Sequence, residues 1–251
     1  MTPTVFYGIV VLIYGIVIGS FLNVCIYRIP KEESIAKSRS HCMNCGYQLK
    51  WYDLVPIFSY LFLGGKCRKC KQKISIQYPL IEGLNGGLYL LIYAVYGVSI
   101  ETLLYCLLFS ALIVISVIDF RTYIIPDGIV LFILALGLIR VITDYTDWLS
   151  YGIGLLSVSV PLELIRLITK GRGMGGGDVK LMAVCGLLLG WKLTVLAFAL
   201  GCIIGSIVHL IRMRVTKADH MLALGPYLAL GLMIATLWGE KMLQWYFNVF
   251  M

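Results

Sequence analysis

LLYCLLFSALIVISVID, Leu103 to Asp119, is the stretch on which the fold turns: an unbroken apolar run that ends on a carboxylate. A helix crosses a roughly 30 Å hydrocarbon core with about 20 apolar residues, and about 17 still suffice, so this run reads as a membrane helix. Phe120-Arg121-Thr122-Tyr123-Ile124-Ile125-Pro126-Asp127 follows it. A second carboxylate, Asp178, closes Gly175-Gly176-Gly177-Asp178 and opens the apolar stretch Val179-Lys180-Leu181-Met182. Charge at the edge of membrane segments is costly, and a function is the default explanation.

Working outward, 60% of the 251 residues are hydrophobic and only 14% are charged, which excludes an ordinary soluble domain. Eight apolar runs are long enough to consider: 5–26, 79–96, 103–118, 128–143, 149–168, 179–190, 193–211 and Met221 to Leu237. The sixth is too short for a full crossing and the fourth is marginal. The expected fold is all-α and polytopic, with about eight transmembrane helices.

Placing the amino terminus outside puts 18 of the 21 Lys and Arg on the cytoplasmic side, Arg172 and Lys217 among them, and leaves Arg140, Lys192 and Lys241 opposite. Trp148, Trp191, Trp238 and Trp245 fall at the outer interface. The net charge of +8 is thereby topogenic and needs no nucleic-acid partner. Met1 to Tyr7 has no basic residue and Arg28 follows the first run, the reverse of a secretory signal. The division expected is a first transmembrane helix at 1–27, a cytoplasmic loop at 28–78 and a membrane-embedded core at 79–251.

The loop holds Cys42-Met43-Asn44-Cys45 and Cys67-Arg68-Lys69-Cys70. Two Cys-x-x-Cys pairs at this separation match a four-thiolate zinc site, closed to catalysis and structural in role. Gly46 and Gly64-Gly65 supply turns, and Lys66, Arg68, Lys69 and Lys71 favour thiolates. A pair of disulfides, disfavoured in a reducing cytosol, or four unligated thiols are the alternatives. Cys25, Cys106, Cys185 and Cys202 read as small core residues. The apolar segment Trp51 to Leu63 either packs on the knuckle or lies against the membrane.

Asp178 stands at a helix amino terminus, whose field favours the ionised form, while Asp119 stands at a carboxyl end. If the two share one side of the membrane, they form an acid and a base around one water, as in aspartic peptidases. The glycine triplet would let a substrate strand approach. The bland alternative makes Asp178 an N-cap and Asp119 a solvated helix end. Asp127, after Pro126, competes with Asp119.

Other sets fit badly. None of His41, His209 and His220 lies in His-Glu-x-x-His. Gly205-Ser206 with His209 imitates a serine site poorly, and Gly171-Arg172-Gly173-Met174-Gly175 lacks the strand of a phosphate loop. The pairs Gly15 with Gly19, Gly83 with Gly87 and Gly201 with Gly205 read as helix packing. Glu82 and Glu163 sit near cytoplasmic helix ends, to support a polar site or to snorkel.

Ser20-Phe21-Leu22-Asn23-Val24-Cys25-Ile26-Tyr27-Arg28-Ile29-Pro30, Gly65 to Cys70, Ile74-Ser75-Ile76-Gln77-Tyr78-Pro79 and Gly175 to Lys180 together resemble the prepilin leader peptidases. The resemblance covers essentially the whole chain. It implies a bacterial inner-membrane enzyme whose two cytoplasmic aspartates, Asp119 and Asp178 by motif, cut type IV prepilin or pseudopilin leaders after glycine. Gly175, Gly176, Gly177 and Lys180 then form the supporting loop. The cysteine loop implies the form that also methylates the new amino terminus from S-adenosylmethionine, with zinc on Cys42, Cys45, Cys67 and Cys70. Met43 stands where the family often has proline. The competing classes are a proton- or ion-coupled transporter using the same carboxylates and a scaffold that docks partners through the zinc loop.

Overall fold

The computed structural model describes residues 3–37, 39–171, 174–216 and 223–250. Arg172, Gly173, Lys217, His220 and Met221 therefore lie outside the described residues. The helices are α1 (Pro3–Arg28), α2 (Phe58–Phe62), α3 (Gln77–Tyr96), α4 (Ile100–Thr122), α5 (Asp127–Thr143), α6 (Trp148–Ser157), α7 (Ser159–Ile168), α8 (Gly176–Leu189), α9 (Trp191–Thr216) and α10 (Gly225–Phe250). Among the described residues the only β-pairing is two isolated bridges, so the protein is all-helical. Among the described residues four segments, against the about eight crossings expected, are long and apolar enough to cross a membrane: Thr4–Lys31, Ile100–Thr122, Tyr145–Ile168 and Trp191–Val215.

Two compact units divide within α4, Met1–Val114 and Ile115–Met251. In the first, α1 packs along α3 at close range because glycines face each other. A Cβ at Gly15 would lie 2.8 Å from the Gly86 Cα, and one at Gly19 would lie 2.7 Å from the Glu82 Cα. Small residues let membrane helices meet in this way. The expected pairing of Gly83 with Gly87 fails: Gly87 has nothing nearby and Gly83 only the tip of Ile57. Gly83 and Gly87 each follow a residue that meets α1, Glu82 and Gly86, and one step of about 100° turns them off that face.

A buried polar chain ties the same helices together. Asn85 Nδ2 donates to Gly15 O at 2.7 Å, Ser110 Oγ donates to Asn85 Oδ1 at 2.9 Å, and the Tyr89 hydroxyl meets Ser110 at 3.0 Å. Each group is satisfied, as an apolar surround demands.

In the second unit, α8 is the centre. Its 14 residues rise about 21 Å, short of a crossing, and nine of them are buried against α5, α6, α7 and α9. A segment of this length is stable in a bilayer when protein surrounds it. Gly154 of α6 and Gly186 of α8 abut so closely that a Cβ on either would overlap the other's backbone. Gly201 and Gly205 receive Leu228 and Tyr227 of α10, as the spacing predicts.

The run 149–168 is not one helix. It breaks at Val158, because Pro161, early in α7, lacks an N–H and crowds the carbonyl four residues before it. Cys25, Cys106 and Cys185 are buried, Cys202 is half-buried, and all four are free thiols.

Candidate active site and metal centre

Asp119 lies near the end of α4 and is 5% exposed. Tyr123 stops the helix with φ 55°, its N–H donating to the Asp119 carbonyl at 2.8 Å. The carboxylate has a different partner. Its Oδ2 accepts the N–H of Gly225, the first residue of α10, at 2.9 Å. First-turn N–H groups have no partner within their own helix, and here one is directed at a carboxylate. The field argument therefore changes: Asp119 meets the donor end of α10 as well as the acceptor end of α4, so helix fields alone do not divide acid from base.

Asp178 occupies the first turn of α8 and is half-buried. Its helix α8 also packs against α10, whose first residue holds the Asp119 carboxylate. Asp127 does not resemble them. It is exposed, and its carboxylate pairs with Lys180 Nζ at 2.7 Å, the two side chains being 72% and 57% accessible. Lys180 thus faces outward toward α5.

None of Gly175, Gly176 and Gly177 has positive φ, so their demand is for space. A Cβ at Gly177 would sit 2.9 Å from Ile125 Cβ, one at Gly176 2.8 Å from Arg166 Nη1, and one at Gly175 3.2 Å from Asp178 Oδ2. Gly177 lets the start of α8 lie against the α4–α5 connection, while Gly175 stays exposed beside the Asp178 carboxylate. Arg166 is held by Glu163 through two bonds of 2.8 and 2.9 Å. In the first unit, buried Glu82 accepts the Ile57 N–H at 2.7 Å. The His209 Nδ1 is buried without a hydrogen-bond partner.

Sequence reasoning missed Gly225, Ile125 and Arg166. Gly225-Pro226 just before an apolar run is a helix-start signal, and only that signal was available for any of the three.

The loop brings Cys42, Cys45, Cys67 and Cys70 together, every Sγ within 4.8 Å of the others. Cys42 and Cys70 are 3.8 Å apart and Cys45 and Cys67 4.0 Å. Zn–S bonds of about 2.3 Å in a tetrahedron require sulfurs about 3.8 Å apart, so the spacing suits a structural metal and is far too long for disulfides. The two pairs are built alike. Cys42 N–H donates to Tyr47 O and Cys67 N–H to Gln72 O; Gly46 N–H returns to Cys42 O and Lys71 N–H to Cys67 O. The residue after each second cysteine is left-handed, Gly46 at φ 65° and Lys71 at φ 59°.

N–H groups also point at sulfur. Those of Cys45 and Asn44 draw the Cys42 thiol below its usual value. The Gln72 N–H, then the Asn44 side chain, draw Cys70 down to about 6. Cys45 goes the other way, up to about 11, because burial and the surrounding sulfurs outweigh the Tyr47 N–H that favours its thiolate. Thiolates crowded in this way are what a dication stabilises. Asp53 fastens the apolar segment to the knuckle through Arg68 at 2.8 Å, while Trp51, Phe58, Leu61 and Phe62 stay exposed.

Comparison with known proteins agrees with both halves. Residues 13–96 match the bacterial peptidase A24 N-terminal domain, and residues 106–210 match the type IV leader peptidase family. Among relatives, prepilin leader peptidase/N-methyltransferases of Pseudomonas putida and Bacillus subtilis are each 33% identical. The alignments cover 91% of this chain and 90% of the first, and 96% of this chain and 98% of the second. The Pseudomonas aeruginosa protein of the same name is 32% identical over 94% of this chain and 91% of its own. No solved structure matches. The chain belongs to the type IV leader peptidase family, with the bacterial A24 N-terminal domain preceding the peptidase domain.

Proposed function

We propose that this protein is a membrane aspartic endopeptidase that removes the leader of type IV prepilins or pseudopilins on the cytoplasmic side and then methylates the new amino terminus. The observation that carries the reading is that the segment matched by the peptidase family holds two sequestered carboxyls, buried Asp119 and half-buried Asp178, on elements packed against α10. Relatives of near-equal length are named for both activities.

Two carboxyls that act on one water cannot both ionise cheaply, so one holds a proton while the other is a base. The base takes a proton from water as its oxygen attacks the scissile carbonyl, and the protonated carboxyl gives its proton to the carbonyl oxygen. Collapse breaks the C–N bond, and a proton passes to the departing amine nitrogen. The Gly225 N–H holds Oδ2 of Asp119 and leaves Oδ1 for this exchange. Asp127, paired with Lys180 in water, takes no part.

The charge asymmetry supports about eight crossings in the bacterial inner membrane, with residues 28–78 and both aspartates in the cytoplasm. Residues 1–27 then anchor the loop, and 79–251 form the embedded core. Zinc is the metal proposed for the four thiolates, with a structural role. S-adenosylmethionine supplies the methyl group when bound. The transport reading gains nothing from the family match. Co-expression with a candidate prepilin, followed by mass measurement of its amino terminus, reads cleavage and methylation together; an unprocessed prepilin beside well-inserted protein would refute the proposal.

A further inference from the structure

The mechanism above leaves one buried carboxylate unused, and it faces a cavity. Within the first unit, between the cytoplasmic-side ends of α1 and α3 and the cysteine loop, lies a cleft of ≈ 630 Å³. That is well inside the about 300–1,000 Å³ typical of small-ligand sites. Glu82 lines it and is 5% exposed. It accepts the Ile57 N–H at 2.7 Å, and Ser20 lines the cleft with it; among the described residues no Lys or Arg forms an ion pair with it. A buried carboxylate with no counter-charge, open to a ligand-sized cleft, is a place for a cation.

The neighbouring wall says which kind. Tyr27 and Tyr78 both line the cleft and stack on each other at 5.7 Å and 16°, forming a flat aromatic platform. Asn23, wholly buried, fixes that platform by donating to the Tyr78 carbonyl at 3.3 Å while its Oδ1 accepts from Gln77 at 3.4 Å. Aromatic faces attract purine rings and onium cations alike. Arg28 and Lys31 also line the cleft, a counter-charge for a carboxylate and a deterrent to a peptide rich in lysine. The far wall is the metal knuckle, through Cys42 and Cys67.

We propose that this cleft binds the sulfonium methyl donor, with Glu82 as counter-charge to the sulfonium, the tyrosine platform under the adenine, and Arg28 or Lys31 at the amino-acid carboxylate. The assignment rests on the methyltransferase half of the proposed function. In the reaction the methyl carbon leaves sulfur as it bonds to the neutral amine nitrogen of the cut prepilin. The C–S pair stays on sulfur, which becomes a neutral thioether, and the amine loses one proton.

The test uses that change of charge. Full-length, metal-loaded protein in detergent is titrated calorimetrically with S-adenosylmethionine and, separately, with S-adenosylhomocysteine, its neutral thioether. Glu82→Gln is expected to weaken the sulfonium ligand at least tenfold and the thioether less than threefold, a selectivity that a merely misfolded variant does not produce. Ser59→Trp, which fills the cleft from α2, is expected to weaken both. Wild-type affinities in both variants would overturn the assignment, and so would Glu82-dependent binding of a synthetic basic leader peptide in place of the methyl donor. Glu82-dependent binding by a protein that cuts prepilin without methylating it would fault the second activity and leave the site standing.

Discussion

Replacing Gly225 by alanine separates the catalytic reading of Asp119 from a structural one. The new Cβ would lie 2.7 Å from Oδ2, 3.0 Å from Cγ and 3.2 Å from Cβ of Asp119. Heavy atoms rest at roughly 3.5 Å, so Oδ2 must withdraw by about 0.8 Å. The 2.9 Å bond from Gly225 N–H then stretches beyond hydrogen-bond range. Backbone angles are no obstacle, since Gly225 has no positive φ. A hydrogen bond to a charged group contributes about 1.5–3 kcal/mol, and a misplacement near 1 Å costs about 100-fold in rate. Both routes converge on a fall in kcat/KM of about 10², or about 2.7 kcal/mol of transition-state stabilisation. The assay is cleavage of a purified prepilin by full-length enzyme in detergent, followed by mass spectrometry, with insertion and thermal unfolding measured alongside. Gly175→Ala is the companion: its Cβ meets only the tip of Asp178, at 3.2 Å, and a loss below tenfold is expected. Cleavage by Gly225→Ala within threefold of wild type, beside an inactive Asp119→Asn, would refute the argument that the α10 amino terminus holds the reactive carboxylate.

Other expectations are shorter to state. Asp119→Asn and Asp178→Asn should each abolish leader cleavage in inserted protein, whereas Asp127→Asn should stay within tenfold, because an exposed pair contributes about 0–1 kcal/mol; the same mass assay checks all three. Elemental analysis should find one zinc per chain and none in Cys67→Ser, with proteolysis of that variant beginning in residues 39–71. Gly186→Ala, which drives a Cβ into the Gly154 backbone, should cost about 1–3 kcal/mol or more in a denaturation series, while Gly128→Ala, with nothing nearby, should cost nothing.

Most of the architecture could be read from apolar run lengths: each of the eight runs contains helix, and the short sixth one is embedded in protein. The cysteine cluster was equally legible, since Cys-x-x-Cys spacing constrains geometry locally. What escaped was relational. Gly-x-x-x-Gly spacing finds glycines but not the face that meets a neighbour, so Gly15 with Gly86 went unseen and Gly83 with Gly87 was misassigned. The break at Val158 had its signal in Pro161, masked by the apolar run around it. The Gly225 contact joins positions 106 residues apart, and no local pattern encodes which helix end will meet which side chain. Asp127 competes with Asp119 in sequence, with a helix cap as its stronger reading, and the two differ in burial and in the Lys180 pair.

The twinned knuckle has a physiological consequence. Between residues 39 and 76 the backbone makes two isolated bridges, one 3-10 turn and one short helix, so four sulfurs do much of the ordering that an apolar core does elsewhere. Order in such a segment follows mass action: it rises and falls with free metal concentration. The aspartates draw on no such supply. On the proposed function, a bacterium short of zinc would keep trimming its pilins while the wall behind Glu82 loosened, and the chemical finish on each new subunit would become a readout of the cell's metal economy.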